Sequence, residues 1–385
     1  MKSISTEKII NIVFILCIAM LFSFPYIFAH RYTRNNSSQT STTENRNLES
    51  PTAVLDGVSF NMGFPSEYDR WFSDHLGLRN TLININACMD YYLFGQFPDS
   101  TNRAIDKNGM MADGEYATIQ SYAHTNLLTN EELIEIGQAC QTVNDWLLSQ
   151  NIQFYFVQNV EKHEIYPDSY LIGINQIGDI SKQDQIIEYL QKNTSVTYVY
   201  TKDALLKSKY KYKIYNDWSD FAHWTPRGAF IGYQELMETI SKNNNLKVLD
   251  ENDYDISFVD AGEYAYNYLY KEDIREEFDI LEPKAYRSDM TELVAKETGL
   301  NIRNIYENPS IPDGKKMLIF DDSYFYMFVI DDIAESFSIT WDIPNSELTN
   351  LPAIIENYKP DIIILEIAQR SDGYGYIVNL ANILN

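Results

Sequence analysis

Basic residues are scarce in this chain: 30 Lys and Arg stand against 55 Asp and Glu, a formal charge of −25 over 385 residues. Binding to nucleic acid phosphates or anionic lipid head groups needs clustered positive charge, so no nucleic-acid partner is expected. The same deficit argues against a strongly anionic ligand such as a phosphate-rich polymer. The first fifty residues run slightly basic, with Lys2, Lys8, Arg31, Arg34 and Arg46 against Glu7, Glu44 and Glu49, so the acidity belongs to residues 51–385. Cysteine is scarcer still, at 3. Three cannot build a disulfide framework, and none lies in a Cys-x-x-Cys or Cys/His cluster, so neither a metal nor a cofactor is expected. Cys88 and Cys140 read better as two separate buried thiols than as a bridge. Only 5 histidines (His30, His75, His124, His163 and His223) can serve as a neutral-pH base, which makes that search short.

Charge is wholly absent from Ile9 to Ala29, an apolar run preceded by Lys2 and Lys8. A spanning helix needs roughly 20 such residues. The run is longer than the usual signal-peptide core of about 7–15 residues, and Tyr26-Ile27-Phe28-Ala29 is a poor small-x-small cleavage site. An uncleaved single-pass anchor is expected, with residues 1–8 cytoplasmic and the body outside the cell membrane. Residues 31–50 are rich in Asn, Ser and Thr and nearly devoid of apolar side chains, so a flexible stalk is expected over 30–55. Residues 56–385 then read as one domain.

Within that domain helical and extended patterns alternate. Thr129 and Glu132 form a capping-box pattern ahead of Leu133, Ile136, Cys140, Val143 and Leu147, followed by the apolar strand Phe154–Val160. Further helices are expected over 184–192, 226–242, 325–337 and 351–358, and strands over 196–200, 317–320 and 361–367. Such alternation implies an α/β fold with a mostly parallel sheet covered on both faces. An acidic, Tyr-rich insertion near 244–312 breaks the pattern: residues 250–279 hold eleven acids and two bases. Tyr264, Tyr266, Tyr268 and Tyr270 recur at period two, as in one strand that either covers the core or offers an aromatic platform to sugar rings.

His223 has the best local setting for a base. Asp220 precedes it by three in a loop before a helix starting near Pro226, a spacing at which a carboxylate can hold the imidazole Nδ1–H; Asp217 competes for that part. At Met317-Leu318-Ile319-Phe320-Asp321-Asp322-Ser323-Tyr324 an apolar strand runs into Asp-Ser and then a helical pattern, which exposes a serine at the carboxyl edge of a parallel sheet. The plainer reading is a helix N-cap.

Together these residues resemble a known family. Trp71 to Arg79, Lys107 to Met111, Lys162-His163-Glu164-Ile165-Tyr166-Pro167, Asp220 with His223-Trp224-Thr225-Pro226-Arg227-Gly228-Ala229, Asp322-Ser323, and Lys359-Pro360-Asp361-Ile362 with Glu366 and Arg370 follow the order of the alginate O-acetylase family of the AlgJ/AlgX type and the related DHHW proteins. The resemblance implies a three-layer α/β/α SGNH-hydrolase-like domain with circularly permuted motif order. It implies Ser323 as nucleophile, His223 as base and Asp220 as orienting acid, with Lys162, Tyr166 and Arg370 as glycan contacts. The implied activity is O-acetylation of a cell-surface or secreted polysaccharide, with acetyl supplied by a multi-pass membrane O-acyltransferase. A carbohydrate acetylesterase and a non-catalytic glycan-binding or assembly protein are the alternatives. The chain departs from the family in two ways: Asp321 stands where glycine is usual, and an extra residue separates Asp220 from His223. A second negative charge beside the nucleophile would oppose an oxyanion, which favours the non-catalytic alternative.

Overall fold

The computed structural model describes residues 103–265, 269–370 and 373–385 and, before them, 53–74, 79–97 and the short pieces 8, 10–20, 40–41, 46–47 and 49. The described chain divides into two units, residues 1–98 with 264–270, and 99–263 with 271–385. The division leaves residues 56–98 with the smaller unit rather than with the body.

In the smaller unit, residues 10–20 are helical. The rest of the expected anchor, Ile9 and residues 21–29, lies outside the described residues, as does most of the expected stalk. Among the described residues no helix is long and apolar enough to cross a membrane. Helices Phe64–Asp74 and Arg79–Met89 come next, and the second runs on through Asp90–Phe94 to Gly95, whose φ of 62° ends it. His75 lies outside the described residues.

The larger unit is built on a seven-stranded sheet. Its strands are β1 (Gln153–Asn159), β2 (Thr197–Tyr200), β3 (Tyr286–Arg287), β4 (Asn304–Glu307), β5 (Lys316–Asp321), β6 (Ile339–Pro344) and β7 (Ile362–Ala368), in the order β3-β4-β6-β5-β7-β1-β2. From β6 to β2 every pairing is parallel; β3 and β4 add an antiparallel edge. Central strands of a covered parallel sheet are buried on both faces, which is why β5 and β7 read as unbroken apolar runs.

Alternate side chains sort to the two faces. Leu318, Phe320, Ile363 and Leu365 pack with helices α1 (Asn130–Ser149), α2 (Lys182–Asn193), α4 (Leu351–Tyr358) and α5 (Tyr374–Leu384). Met317, Ile319, Ile362 and Ile364 pack with α3 (Pro226–Ser241) and the short helices Lys202–Ser208 and Ile330–Ala334. The three layers result from that alternation. Thr129 caps α1 in the expected capping box, with the Thr129 side chain and Glu132 each accepting from the other's backbone N–H. The described cysteines are free; Cys140 is buried on α1, where burial pushes its thiol up to about 12.

Two expectations need correcting. The helix expected over 325–337 is two short helices, Ser323–Tyr326 and Ile330–Ala334, interrupted at residues 327–329. The period-two tyrosine strand is instead a hairpin of Glu263–Ala265 with Leu269–Lys271; residues 266–268 lie outside the described residues. The acidic insertion holds a longer hairpin, Tyr254–Asp260 paired with Ile274–Ile280, and Phe278 on it stacks on Phe230 of α3 at 5.1 Å.

Candidate active site

The candidate site lies at the carboxyl ends of parallel strands, the edge at which open α/β sheets generally bind ligands. β5 ends at Asp321 and turns into Ser323; β1 runs on to Glu161 and Lys162; β7 runs on to Arg370. The loop before α3 brings Asp220 and His223 to the same edge.

There the three residues form a relay. Asp220 Oδ2 lies 2.7 Å from His223 Nδ1, and His223 Nε2 lies 2.8 Å from Ser323 Oγ. Burial alone would raise the Asp220 carboxyl, but hydrogen bonds from the His223 ring and from the backbone N–H groups of His223 and Ala222 outweigh it and hold it at about 2. An ionised carboxylate only accepts, so Nδ1 carries the proton and Nε2 is left to accept from the serine O–H. Asp217, the competing acid, pairs instead with Lys213 at 2.7 Å.

Each member is held from behind. Asp322 caps the short helix that begins at Ser323, accepting from the Tyr324 N–H at 3.1 Å and the Ala368 N–H at 2.9 Å, while its own N–H donates to Glu366 Oε2 at 3.0 Å. These bonds tie the nucleophile turn to β7. Glu366 is buried, and burial together with the Asp322 carboxylate holds its pKa well above the ordinary range. The Ser323 N–H is not engaged by a protein acceptor among the described residues. His223 packs between the rings of Tyr324 at 5.3 Å and Phe328 at 5.8 Å.

The loop that carries Asp220 is clamped by Asp273, which nothing in the sequence pattern singled out. This fully buried carboxylate accepts from the N–H groups of Trp218 and Ser219, both at 2.7 Å, and from the Ser219 hydroxyl at 2.8 Å, and it pairs with Lys213. Those donors overcome the effect of burial and hold its pKa at about 2. Asn216 adds bonds to the carbonyls of His223 and Trp224.

Asp321 corrects the expectation that its charge would oppose an oxyanion. The side chain is buried, and Arg303 Nη1 binds it together with Asp342, the latter at 2.6 Å; Nη2 also donates to the Asp321 carbonyl at 2.8 Å. Burial and the Asp342 carboxylate push the Asp321 pKa well up, against the pull of Arg303. One oxygen of the acid is thus paired with Arg303 inside the fold, while its Oδ2 is buried with no hydrogen-bond partner among the described residues.

Of the expected glycan contacts, Lys162 is turned inward: its Nζ donates to the carbonyls of Met111 at 2.9 Å and Asn216 at 2.8 Å. Tyr166 is partly buried beside Tyr215, its phenol pushed up to about 12 by burial, and lines a cavity of about 20 Å³, room for one water. Arg370 comes nearer the triad, with its guanidinium 5.6 Å over the ring of Tyr324 and 2.6 Å from buried Glu161. His163, also buried, has its pKa lowered to about 4 by desolvation and lies 3.1 Å from the Gln369 amide, which suits a neutral structural ring better than a base. Among the described residues no cluster of side chains suited to a metal ion occurs.

No protein-family model and no protein of curated function matches the sequence. Among solved structures, PatB1 of Bacillus cereus carrying a sulfonyl adduct aligns over 72% of this chain and 99% of its own, with a TM-score of 0.53 at 15% identity. A DHHW family protein from Eubacterium siraeum aligns over 64% of this chain and 88% of its own, at 16% identity and a TM-score of 0.44. The O-acetyltransferase domain of Pseudomonas putida AlgJ covers 73% of this chain and 99% of its own, at 12% and 0.44. The likeness to PatB1 is one of fold.

Proposed function

We propose that this chain is an extracytoplasmic O-acetyltransferase that modifies hydroxyls of a cell-surface or secreted polysaccharide. The observation that carries the proposal is the continuous relay from Asp220 through His223 to Ser323, at 2.7 and 2.8 Å. The family resemblance of the sequence and the fold shared with PatB1 are consistent with it.

In this reading Ser323 Oγ attacks the carbonyl carbon of a donor acetyl ester as His223 Nε2 takes the hydroxyl proton. The tetrahedral oxyanion falls beside the Ser323 N–H. Collapse breaks the bond to the donor oxygen, which leaves with the proton from His223, and an acetyl ester remains on Ser323. A sugar hydroxyl then gives its proton to His223, attacks that ester and departs acetylated, restoring the Ser323 hydroxyl. Water in place of the sugar would make the chain an acetylesterase by the same steps. Asp220 stabilises the imidazolium formed in each half. The apolar run at 9–29 would hold the body outside the cell membrane, where a multi-pass membrane O-acyltransferase supplies the acetyl group.

The test is acetyl-enzyme formation. The full chain purified in detergent and mixed with p-nitrophenyl acetate should gain one acetyl group on Ser323 by peptide mass spectrometry, and a sulfonyl fluoride should block it. Both labels should vanish in Ser323→Ala. Labelling elsewhere, or none in the folded protein, would move the assignment to a glycan-binding or assembly role.

A further inference from the structure

Beside the triad runs a groove of about 550 Å³, of the size that takes a small-molecule or oligosaccharide ligand. It meets the site at Phe328, which lines the groove and packs its ring against His223. Two half-exposed side chains, Tyr286 and Met327, give it the apolar patches on which the C–H faces of sugar rings rest.

Its titratable side chains are one-sided: the acids Glu277, Asp279, Asp331, Asp332 and Glu335 line it against two arginines. Both arginines are already engaged by groove acids, Arg275 with Glu277 at 2.7 Å and Arg287 with Asp331 at 3.6 Å. Asp279, exposed on the same wall, has no ionic partner among the described residues. A carboxylate or phosphate entering here would meet like charge with both cations taken, whereas a neutral or amine-bearing sugar would not.

Resting on the acetyl-transfer reading, we infer that this groove seats the acceptor and that the acceptor is a glycan free of acidic groups, neutral or amine-bearing rather than a polyuronate or polyphosphate. The wall bearing Asp279 then acts as a filter on glycan charge, while Tyr286 and Met327 supply contact that charge does not alter.

Equilibrium binding tests this without turnover. The full chain carrying Ser323→Ala, in detergent, is titrated with three hexasaccharides: β-1,4-linked N-acetylglucosamine, its de-N-acetylated glucosamine form, and β-1,4-linked mannuronate. The neutral or the amine-bearing hexamer should bind at least tenfold tighter than the mannuronate, added Asp279→Lys should narrow that ratio, and added Tyr286→Ala should weaken the favoured sugar. Mannuronate binding as tightly as the others, a ratio indifferent to Asp279→Lys, or no binding of any of the three overturns the inference. Acetylation of Ser323 in the unsubstituted chain is measured separately and reports on the triad reading alone.

Discussion

At the scale of single residues, Asp220 can influence Ser323 only through the His223 ring, so it should be lost in a graded way. Asp220→Asn keeps the shape but removes the preference for the Nδ1–H tautomer, and acetylation of Ser323 by p-nitrophenyl acetate should slow by roughly 10³- to 10⁴-fold with the fold intact by circular dichroism. A slowing of only a few-fold would mean that Asp217 or another acid does the orienting. Arg303 offers a contrast, because removing it strands two buried acids. Arg303→Met should cost about 3–5 kcal/mol in chemical denaturation, whereas Asp321→Gly, which leaves Arg303 one acid to hold, should cost less and keep the serine reactive. Equal losses from the two would show that the guanidinium does not compensate Asp321. The three triad residues were legible because their spacing is local to two loops, Asp220 three before His223 and Ser323 at a strand end. Arg303 and Asp273 were not: they reach the site from segments whose neighbours in sequence carry no chemistry, and charge pairing across 18 or 60 positions leaves no periodic trace.

At the scale of elements, the clamp formed by Asp273 has a pH signature. Its folded pKa of about 2 lies below the ordinary value of 3.8, so the carboxylate stabilises the fold above pH 4 and that contribution fades as pH falls from about 4 towards 2. Asp273→Asn should therefore lower stability by about 2 kcal/mol at pH 7, and the gap between variant and parent should close towards pH 2. A gap that stays constant with pH would show that Asp273 acts by shape alone. Helix α3 is set just as closely. A Cβ built on Gly228 would lie 2.2 Å from the Ile214 carbonyl oxygen and 2.9 Å from Trp224 Cβ, so Gly228→Ala must push the start of α3 away from the His223 loop. Overpacking of this kind costs typically about 1–3 kcal/mol, and a lowered melting temperature together with slower Ser323 acetylation is the expected pair of readouts. The buried parallel strands β1, β2, β5 and β7 and the helices α1, α2 and α3 could be read from sequence, since apolar runs, helical spacing and, for α1, a capping box are local signals. β4 and β6 escaped because one is short and the other, Ile-Thr-Trp-Asp-Ile-Pro, carries Asp342, a buried acid made tolerable by Arg303.

At the scale of the whole molecule, two features of the chain point to one arrangement. The body is acidic enough to be repelled by anionic membrane surfaces, so attachment to a bilayer would have to come from somewhere other than its charge. The described part of the apolar segment is a helix on which Ile10, Ile12, Val13, Phe14, Ile15, Leu16 and Met20 are all exposed, with Asn11 the one exposed amide among them. A helix apolar all round is stable only in a large core or in lipid. The uncharged run from Ile9 to Ala29 has twenty-one residues, about the number a membrane-spanning segment needs. With Lys2 and Lys8 held inside, the polar segment after Ala29 would emerge on the outer face. The full chain should therefore sediment with membranes and resist extraction by alkaline carbonate, while a form lacking residues 1–50 should not. A cysteine placed at Ser38 should react with a membrane-impermeant maleimide in intact cells. Reaction only after lysis would put the body in the cytoplasm, where it could not meet an exported glycan, and would remove the polysaccharide from the proposed reaction even if Ser323 proved to be acetylated.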